Sequence, residues 1–419
     1  MTQEAENATS VGRPKLKVCV IGSTYPRFQE DPLVPWLRES VGRMAKRGHE
    51  MTVVAPSFKG LESHSIDGVP VLRFRYAPSA IESLTHDEGA PSKLRNPFYN
   101  LLALPYILSG AAHLRTWASS RLFDVLHVHW PFPHALLPTL GAMRRMPRVA
   151  TCHGAELAMA RRSPMIAGIL RRSLWSADVV SCNSSHTRSE MERVAGRSAK
   201  VIPYGATVRG TGTSVRGGQP NDPALLLFSG RLIQRKGVDY LIRALPKVLE
   251  RRDVRLLITG EGDRRREWEE LAGSMGLSDK VQFLGFVSSE RLAELYSTCD
   301  LYVHPAIFDD NNDTEGLGVV LVEALAHRCP VVASGVGGIV DVIHHEETGL
   351  LVAEKDETAL AAAILRVLDD PALARRLGET GRTFAERHFD WERITDETED
   401  LYYEAINRAS APSRYEAAS

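Results

Sequence analysis

Short runs of apolar, largely β-branched residues alternate along the chain with longer stretches whose apolar positions recur at helical spacing. The runs at 16–21, 51–55, 69–74, 125–128, 148–152, 179–182 and 200–202 predict strands. The stretches 33–46, 135–144 and 185–194 between them predict amphipathic helices. Residues 209–223 are rich in Gly, Ser, Thr, Asn and Pro and nearly lack apolar side chains, which marks a linker. Beyond it the alternation restarts, with strands expected at 225–228, 254–259, 280–284, 301–304, 331–333 and 349–352. Helices are expected around 238–251, 264–275, 289–297, 319–326, 357–368 and 371–388, and a last amphipathic stretch, 391–405, precedes a polar tail. This order implies an α/β chain with a doubly wound, mostly parallel sheet on each side of the linker. The apolar stretch 98–112, interrupted by Asn100, Pro105, Ser109 and Gly110, reads as a buried or interfacial helix.

Ligands of such sheets sit beyond the carboxyl ends of the strands, so the chemistry belongs in the loops that follow them. The loop Gly230-Arg231-Leu232-Ile233-Gln234-Arg235-Lys236-Gly237 sets Arg231 and Lys236 at that edge. Arginine can grip a phosphate bidentately, and lysine can neutralise it as a point charge. A diphosphate leaving group gathers negative charge as its bond breaks and needs cations there. The segment Thr314-Glu315-Gly316-Leu317-Gly318-Val319 follows the strand at 301–304 and a polar loop at 309–313. Its glycines allow close approach of backbone to ligand, and the free amides of the helix that follows suit a phosphate. Glu315 and Glu323 lie eight residues apart, about 800° of helical rotation, so they meet different parts of a ligand. Carboxylates are good acceptors for sugar hydroxyls.

These segments resemble the retaining, nucleotide-sugar-dependent glycosyltransferases of the GT-B fold, group 1 or family 4. The resemblance runs from Lys17 to about Ile406. It implies two doubly wound Rossmann-like domains facing across a cleft. The expected parts are a flexible N-terminus (1–14), an acceptor-side domain (15–208), a linker (209–223) and a donor-binding domain (224–388). A helix crossing back to the first domain (389–408) and a tail (409–419) complete the chain. The resemblance also implies that Arg231 and Lys236 hold the donor diphosphate and that Glu323 binds the ribose hydroxyls. Glu315 and the amides of Gly316, Leu317, Gly318 and Val319 would hold sugar and phosphate. Phe286 and Val287, in Phe283-Leu284-Gly285-Phe286-Val287, would meet the nucleobase.

In the first half, Thr151-Cys152-His153-Gly154-Ala155-Glu156 resembles the family's His-Gly turn. This puts His153 beside the donor sugar, in a catalytic set with Arg231, Lys236 and Glu315. His129 and Trp130, at a strand end, and Arg27, in the first loop, are expected on the acceptor side, and His127 is expected to pack or cap. Two departures stand out. The loop Ser23-Thr24-Tyr25-Pro26-Arg27-Phe28-Gln29-Glu30-Asp31 has no glycine where many relatives carry a Gly-Gly pair. After Pro203-Tyr204-Gly205, Thr207 stands where the family usually has Asp.

The implied activity is that of a retaining hexosyltransferase, moving a sugar from a nucleotide diphosphate to an acceptor hydroxyl in glycolipid, cell-envelope or exopolysaccharide synthesis. No residue can be assigned as the β-face nucleophile that double displacement needs; the resemblance implies same-face transfer, with the departing phosphate taking the acceptor proton. Asp309, Asp310 and Asp313 lack a His or Cys cluster, so the expectation is metal-independent chemistry with the nucleotide sugar as co-substrate and no cofactor. A dinucleotide-dependent oxidoreductase would need GxGxxG after its first strand, and Gly335-Val336-Gly337-Gly338 lacks that spacing. A GT-B sugar-nucleotide epimerase and a catalytically silent sugar-nucleotide sensor are the alternatives. Retention of Arg231, Lys236, Glu315 and Glu323 argues against the sensor.

A net charge of −1 gives no whole-chain case for nucleic-acid binding, yet it hides an asymmetry. Residues 1–208 hold 26 Lys+Arg against 16 Asp+Glu, while residues 209–419 hold 25 against 36. A basic first half, with Arg144, Arg145, Arg148, Arg161, Arg162, Arg171 and Arg172 close in sequence, points to an anionic or lipid-linked acceptor and peripheral membrane contact. Five scattered cysteines fit a reducing compartment. The start of the chain does not read as a signal peptide, and no run reaches the roughly 18 apolar residues of a membrane span. The expected location is cytoplasmic, peripheral at the inner face of the membrane.

Overall fold

The computed structural model describes residues 13–85, 97–120, 122–140, 143–207 and 223–411. The linker expected at 209–223 lies almost wholly outside them. The chain divides into two compact units, residues 1–181, 194–199 and 395–419 forming one and residues 182–193 and 200–394 the other.

The first unit is built on strands β1 (Lys17–Ile21), β2 (Glu50–Pro56), β3 (His64–Ile66), β4 (Val69–Phe74), β5 (Val125–His129), β6 (Arg148–Cys152) and β7 (Val179–Cys182). They lie in the order β3-β4-β2-β1-β5-β6-β7; the two-residue strand β8 (Lys200–Val201) belongs to the residues of the second unit. β1 pairs in parallel with both β2 and β5, so the strand order reverses at the β1–β5 boundary. Every residue of β5 and β6 is buried, as expected for parallel strands covered on both faces.

The antiparallel strand β3 was not expected. It pairs with β4 through Asp67 and Gly68, both at positive φ, the Asp-Gly turn that favours a two-residue hairpin. The helix expected at 135–144 is corrected to two single turns, Pro131–His134 and Leu136–Thr139. Three prolines between 131 and 138 each remove an amide donor and prevent a longer helix. The helix expected from residue 33 begins at Pro35, because Val34 is left-handed and proline suits the first helical position. The apolar stretch 98–112 lies within one longer helix, Pro97–Ser120, that retains Pro105.

The second unit carries β9 (Ala224–Ser229), β10 (Val254–Thr259), β11 (Val281–Gly285), β12 (Leu301–His304), β13 (Val331–Ser334) and β14 (Leu350–Val352). Their order is β11-β10-β9-β12-β13-β14, all neighbours parallel, reversing between β9 and β12. Helix Val238–Leu249 shows why this half is the more regular: Val238, Leu241, Ile242, Leu245 and Val248 recur at helical spacing and are all buried. Its core joins them to Leu226 and Phe228 of β9 and Leu256 and Ile258 of β10. Each unit therefore offers one topological switch point, the place where a doubly wound sheet opens a crevice at its carboxyl edge.

Candidate functional site

At the switch point of the second unit the loop after β9 meets the loop after β12. The first is folded by Gly237, whose φ of 62° is left-handed and where a Cβ would fall 2.1 Å from the Pro305 carbonyl oxygen. Glycine at 237 thus lets the two loops touch. Lys236, just before it, is buried and donates from Nζ to Glu315 Oε2. His304 Nε2, at the end of β12, lies 3.2 Å from the same oxygen. Its ring stacks on Phe228 at 5.7 Å and 12°, and its Nδ1 is 3.3 Å from the Tyr302 hydroxyl, which donates to the Ser229 carbonyl at 3.0 Å.

Burial alone would raise the Glu315 carboxyl, but Lys236, the His304 hydrogen bond and Arg235 together hold it well below the usual carboxylate range. Burial lowers the Lys236 ammonium, and Glu315 offsets part of that loss. His304 is likewise lowered by burial. The result is an ionised Glu315 with Lys236 against it. Arg231 is an exposed residue, yet desolvation by the surrounding protein and the neighbouring Arg235 lower its guanidinium from the ordinary arginine value. Arg235 donates to the Thr314 carbonyl and fixes the second loop from outside.

The helix after Glu315 runs Val319–Ala326, with Gly318 at its N-cap in a left-handed conformation and Leu317 buried. Glu323, just over one turn in, is buried. Its Oε1 accepts from Thr207 Oγ1 at 2.7 Å, and its Oε2 from the Tyr296 hydroxyl at 3.3 Å. Glu315 and Glu323 are thus held by separate partner sets. Phe286 is exposed, and Val287 packs against the second core of this unit. The Gly260 amide donates to the Gly285 carbonyl at 2.8 Å, joining the loop after β10 to the segment that carries Phe286.

Several supports escaped the sequence reading. His304 closes the Glu315 network. Gly337 and Gly338 back the Glu315 loop: the Gly338 amide donates to the Glu315 carbonyl at 2.9 Å, and a Cβ at 338 would fall 2.1 Å from the Gly316 carbonyl oxygen. The Gly-Val-Gly-Gly string was visible but weighed only as a nucleotide fingerprint.

In the first unit, β5 ends at His129 with Trp130 directly after it, and β6 runs into His153. His129 Nδ1 lies 3.0 Å from His153 Nε2, and the two rings stack at 5.1 Å and 15°. Trp36 lies 4.9 Å and Trp130 4.5 Å from the His153 ring. Trp36 was not foreseen; it sits one residue past the proline that opens its helix. Burial pushes His129 and His153 well below the ordinary imidazole range, so both are neutral donors and acceptors at pH 7. His127 packs inside, as expected, its Nδ1 2.9 Å from the Tyr402 hydroxyl and Nε2 2.7 Å from Thr151 Oγ1.

The glycine-free first loop is held by charge. Buried Arg73 donates to the carbonyls of Tyr25 and Pro26 at 2.8 and 2.7 Å. Arg27 donates from Nε to Asp31 at 2.7 Å and lies over the rings of Phe28 and Phe58. Among the described residues, no group of three or more His, Cys, Asp or Glu could hold a metal ion.

Comparison with known proteins gives this geometry its context. A family model for glycosyl transferases group 1 matches residues 214–384, and one for glycosyltransferase family 4 matches residues 36–208. A phosphatidyl-myo-inositol mannosyltransferase of Mycobacterium leprae is 31% identical, over 82% of this chain and 92% of its own. The chain belongs to the group 1, family 4, glycosyltransferases. A GDP-mannose-dependent alpha-(1-6)-phosphatidylinositol monomannoside mannosyltransferase of Mycolicibacterium smegmatis is 30% identical to this glycosyltransferase, over 85% of this chain and 90% of its own. Its fold matches sucrose-phosphate synthase from Thermosynechococcus elongatus, with a TM-score of 0.74 and 23% identity over 93% of this chain and 99% of that one. Like other members of its family, the glycosyltransferase uses a nucleotide sugar and retains anomeric configuration.

Proposed function

We propose that the second unit binds the donor and the first unit supplies the acceptor side. The observation that carries this reading is the buried Lys236–Glu315–His304 network at the β9–β12 switch point, next to the start of helix Val319–Ala326. Arg231 and Lys236 neutralise the diphosphate as it departs, and the amides of Gly316 to Val319 receive it. Glu315 fixes the Lys236 ammonium and accepts from a sugar hydroxyl. Glu323 accepts from the ribose, with Thr207 and Tyr296 setting its rotamer. Phe286 and Val287 border the nucleobase. His153, neutral and steadied by His129, donates to a hydroxyl of the donor sugar, while His129, Trp130 and Arg27 line the acceptor side.

Retention then follows from same-face transfer: the anomeric C–O bond breaks, the acceptor oxygen adds to the same face, and its proton passes to the departing phosphate. Positioning and leaving-group stabilisation supply the rate, and no resident metal is required. The acceptor is an anionic or lipid-linked hydroxyl compound of glycolipid or cell-envelope synthesis. The excess of basic residues in 1–208 and the phosphatidylinositol-based acceptors named for the mycobacterial relatives support this. The test is nucleotide release and binding with a panel of UDP-, GDP- and ADP-sugars. One donor should bind and turn over, and Lys236→Ala and Glu323→Ala should each abolish turnover. Binding of none, with both variants unchanged from wild type, would overturn the assignment.

A further inference from the structure

Seven of the ten large apolar side chains that stand exposed among the described residues fall between Leu101 and Trp175, all in the first unit. Helix Pro97–Ser120 explains three of them. Its inner face packs Leu102, Tyr106 and Leu114 into the core of the unit. At 100° per residue, Leu101, Leu104 and Leu108 share the opposite face within about 60° of one another. They are 74%, 63% and 55% exposed, and Pro105 and Ala112 beside them are exposed too. A surface helix ordinarily turns polar residues outward; this one is apolar on both sides over three turns. Single exposed leucines need no explanation, but a stripe of them does.

Further exposed apolar side chains lie on the elements packed next in series to this helix. Helix Pro97–Ser120 packs against the turn Leu136–Thr139, that turn against Pro131–His134, and Pro131–His134 against helix Pro164–Trp175. Leu140, Met165 and Trp175 are exposed along this series. The charge of the same region is one-sided. Residues 97–177 hold nine arginines, no lysine and two acids, Asp124 and Glu156, and Glu156 is buried. Arg144 and Arg145 follow Leu140, while Arg171 and Arg172 lie between Met165 and Trp175, all four exposed.

We infer that this face of the first unit, centred on Leu104, Leu108 and helix Pro164–Trp175, docks on an anionic lipid bilayer. Apolar side chains enter the acyl boundary while the guanidinium groups meet headgroup phosphates, the pairing that interfacial helices use. A second copy of the chain would repeat the same positive charge and be repelled; an anionic bilayer complements it. The docking deepens the reading of a lipid-linked acceptor given above and rests on it for its purpose, though not for its measurement.

The test is co-sedimentation of the full chain with vesicles of phosphatidylcholine alone and of phosphatidylcholine with phosphatidylglycerol, at low and high salt. The protein should bind the anionic vesicles, weakly or not at all the neutral ones, and salt should release it. Leu104→Ser with Leu108→Ser should lower anionic binding by about ten-fold or more, and Arg171→Ser with Arg172→Ser by about five-fold per charge. Both variants lie outside the proposed donor site, so nucleotide release in lipid-free solution should stay at the wild-type rate and report that they fold. No association with anionic vesicles at low salt, or variants that bind as wild type, would overturn the docking. So would a dimer in sedimentation that the leucine variant dissolves, since a second copy would then cover the face. Vesicle binding needs no nucleotide sugar: its failure with normal turnover removes the docking alone, and turnover of no donor with normal vesicle binding removes the site reading alone.

Discussion

Thr207 Oγ1 lies 2.7 Å from Glu323 Oε1, where the family usually places an aspartate at the threonine's position. A hydroxyl can donate to the glutamate, whereas an ionised carboxylate would repel it. Thr207→Val keeps the shape and removes the donor. It should cost about 1–2 kcal/mol of stability, read from the denaturant midpoint, and weaken nucleotide-sugar binding with little change in kcat.

Lys236 faces Glu315 in a buried setting, so its loss has two separable consequences. Lys236→Met leaves a buried anion without its cation and should destabilise the fold by about 3–5 kcal/mol. Adding Glu315→Gln should restore most of that stability, measured by thermal unfolding. Turnover should stay down by roughly 10²–10³ in the double variant, because the cation near the departing phosphate is still missing. Recovery of turnover together with stability would assign the pair a structural role only.

Two buried glutamates of the candidate sites, Glu156 and Glu315, carry opposite pH signatures. Burial raises the Glu156 carboxyl to about 7, although its Oε1 accepts from the His153 amide at 2.8 Å. A raised acid binds its proton more tightly in the folded state, so its contribution is full below the unfolded value of about 4.3 and is lost as pH rises towards 7. Glu156→Gln should abolish that slope, about 3 kcal/mol between those limits, in unfolding measured across pH. Glu315, held low, contributes above the unfolded value and loses its contribution as pH falls through its own lowered pKa. Glu315→Gln should therefore flatten the acid limb only.

Gly338→Ala tests the support behind Glu315. The added methyl would meet the Gly316 carbonyl oxygen at 2.1 Å, and a backbone neighbour cannot move aside cheaply. Nucleotide-sugar affinity should fall at least ten-fold by titration calorimetry. Gly42→Ala, in helix Pro35–Lys46 with nothing within 4 Å of its Cβ, should leave affinity unchanged and stabilise by about 1 kcal/mol.

Much of the architecture was legible because parallel strands buried on both faces are written as short unbroken apolar runs. β5, β6, β12 and β13 are fully buried and were found at or within a residue of their bounds. The loops with Arg231, Lys236 and Glu315 could be singled out because ionisable groups and glycines follow such runs directly. What stayed hidden was contact across the chain. His304 looked like the last residue of a strand, and only the fold brings it to Glu315, eleven positions on. Gly337 and Gly338 act through steric absence, which no spacing rule detects. Arg73 is the next-to-last residue of β4, and nothing around it says that its guanidinium will hold the turn at Tyr25 and Pro26. The hairpin at β3 and the broken helix after Trp130 were readable from Asp67-Gly68 and from Pro131, Pro133 and Pro138; the short-range signals were outvoted by the longer periodicity.

The Tyr402–His127 contact has a consequence for how the chain comes to be folded. Tyr402 reaches the inside of the first unit, as Glu399 reaches His49 and Asp400 reaches Arg13. The described residues from 395 onward, 395–411, therefore complete a body begun nearly four hundred residues earlier, while the second unit draws only on residues 182–394. On a ribosome the second unit can close first, and the first must wait with its sheet unfinished until the final helix emerges. Order of synthesis and order of folding are thus reversed, and a chain stopped at residue 394 would hold every residue of the second unit and an unfinished first unit.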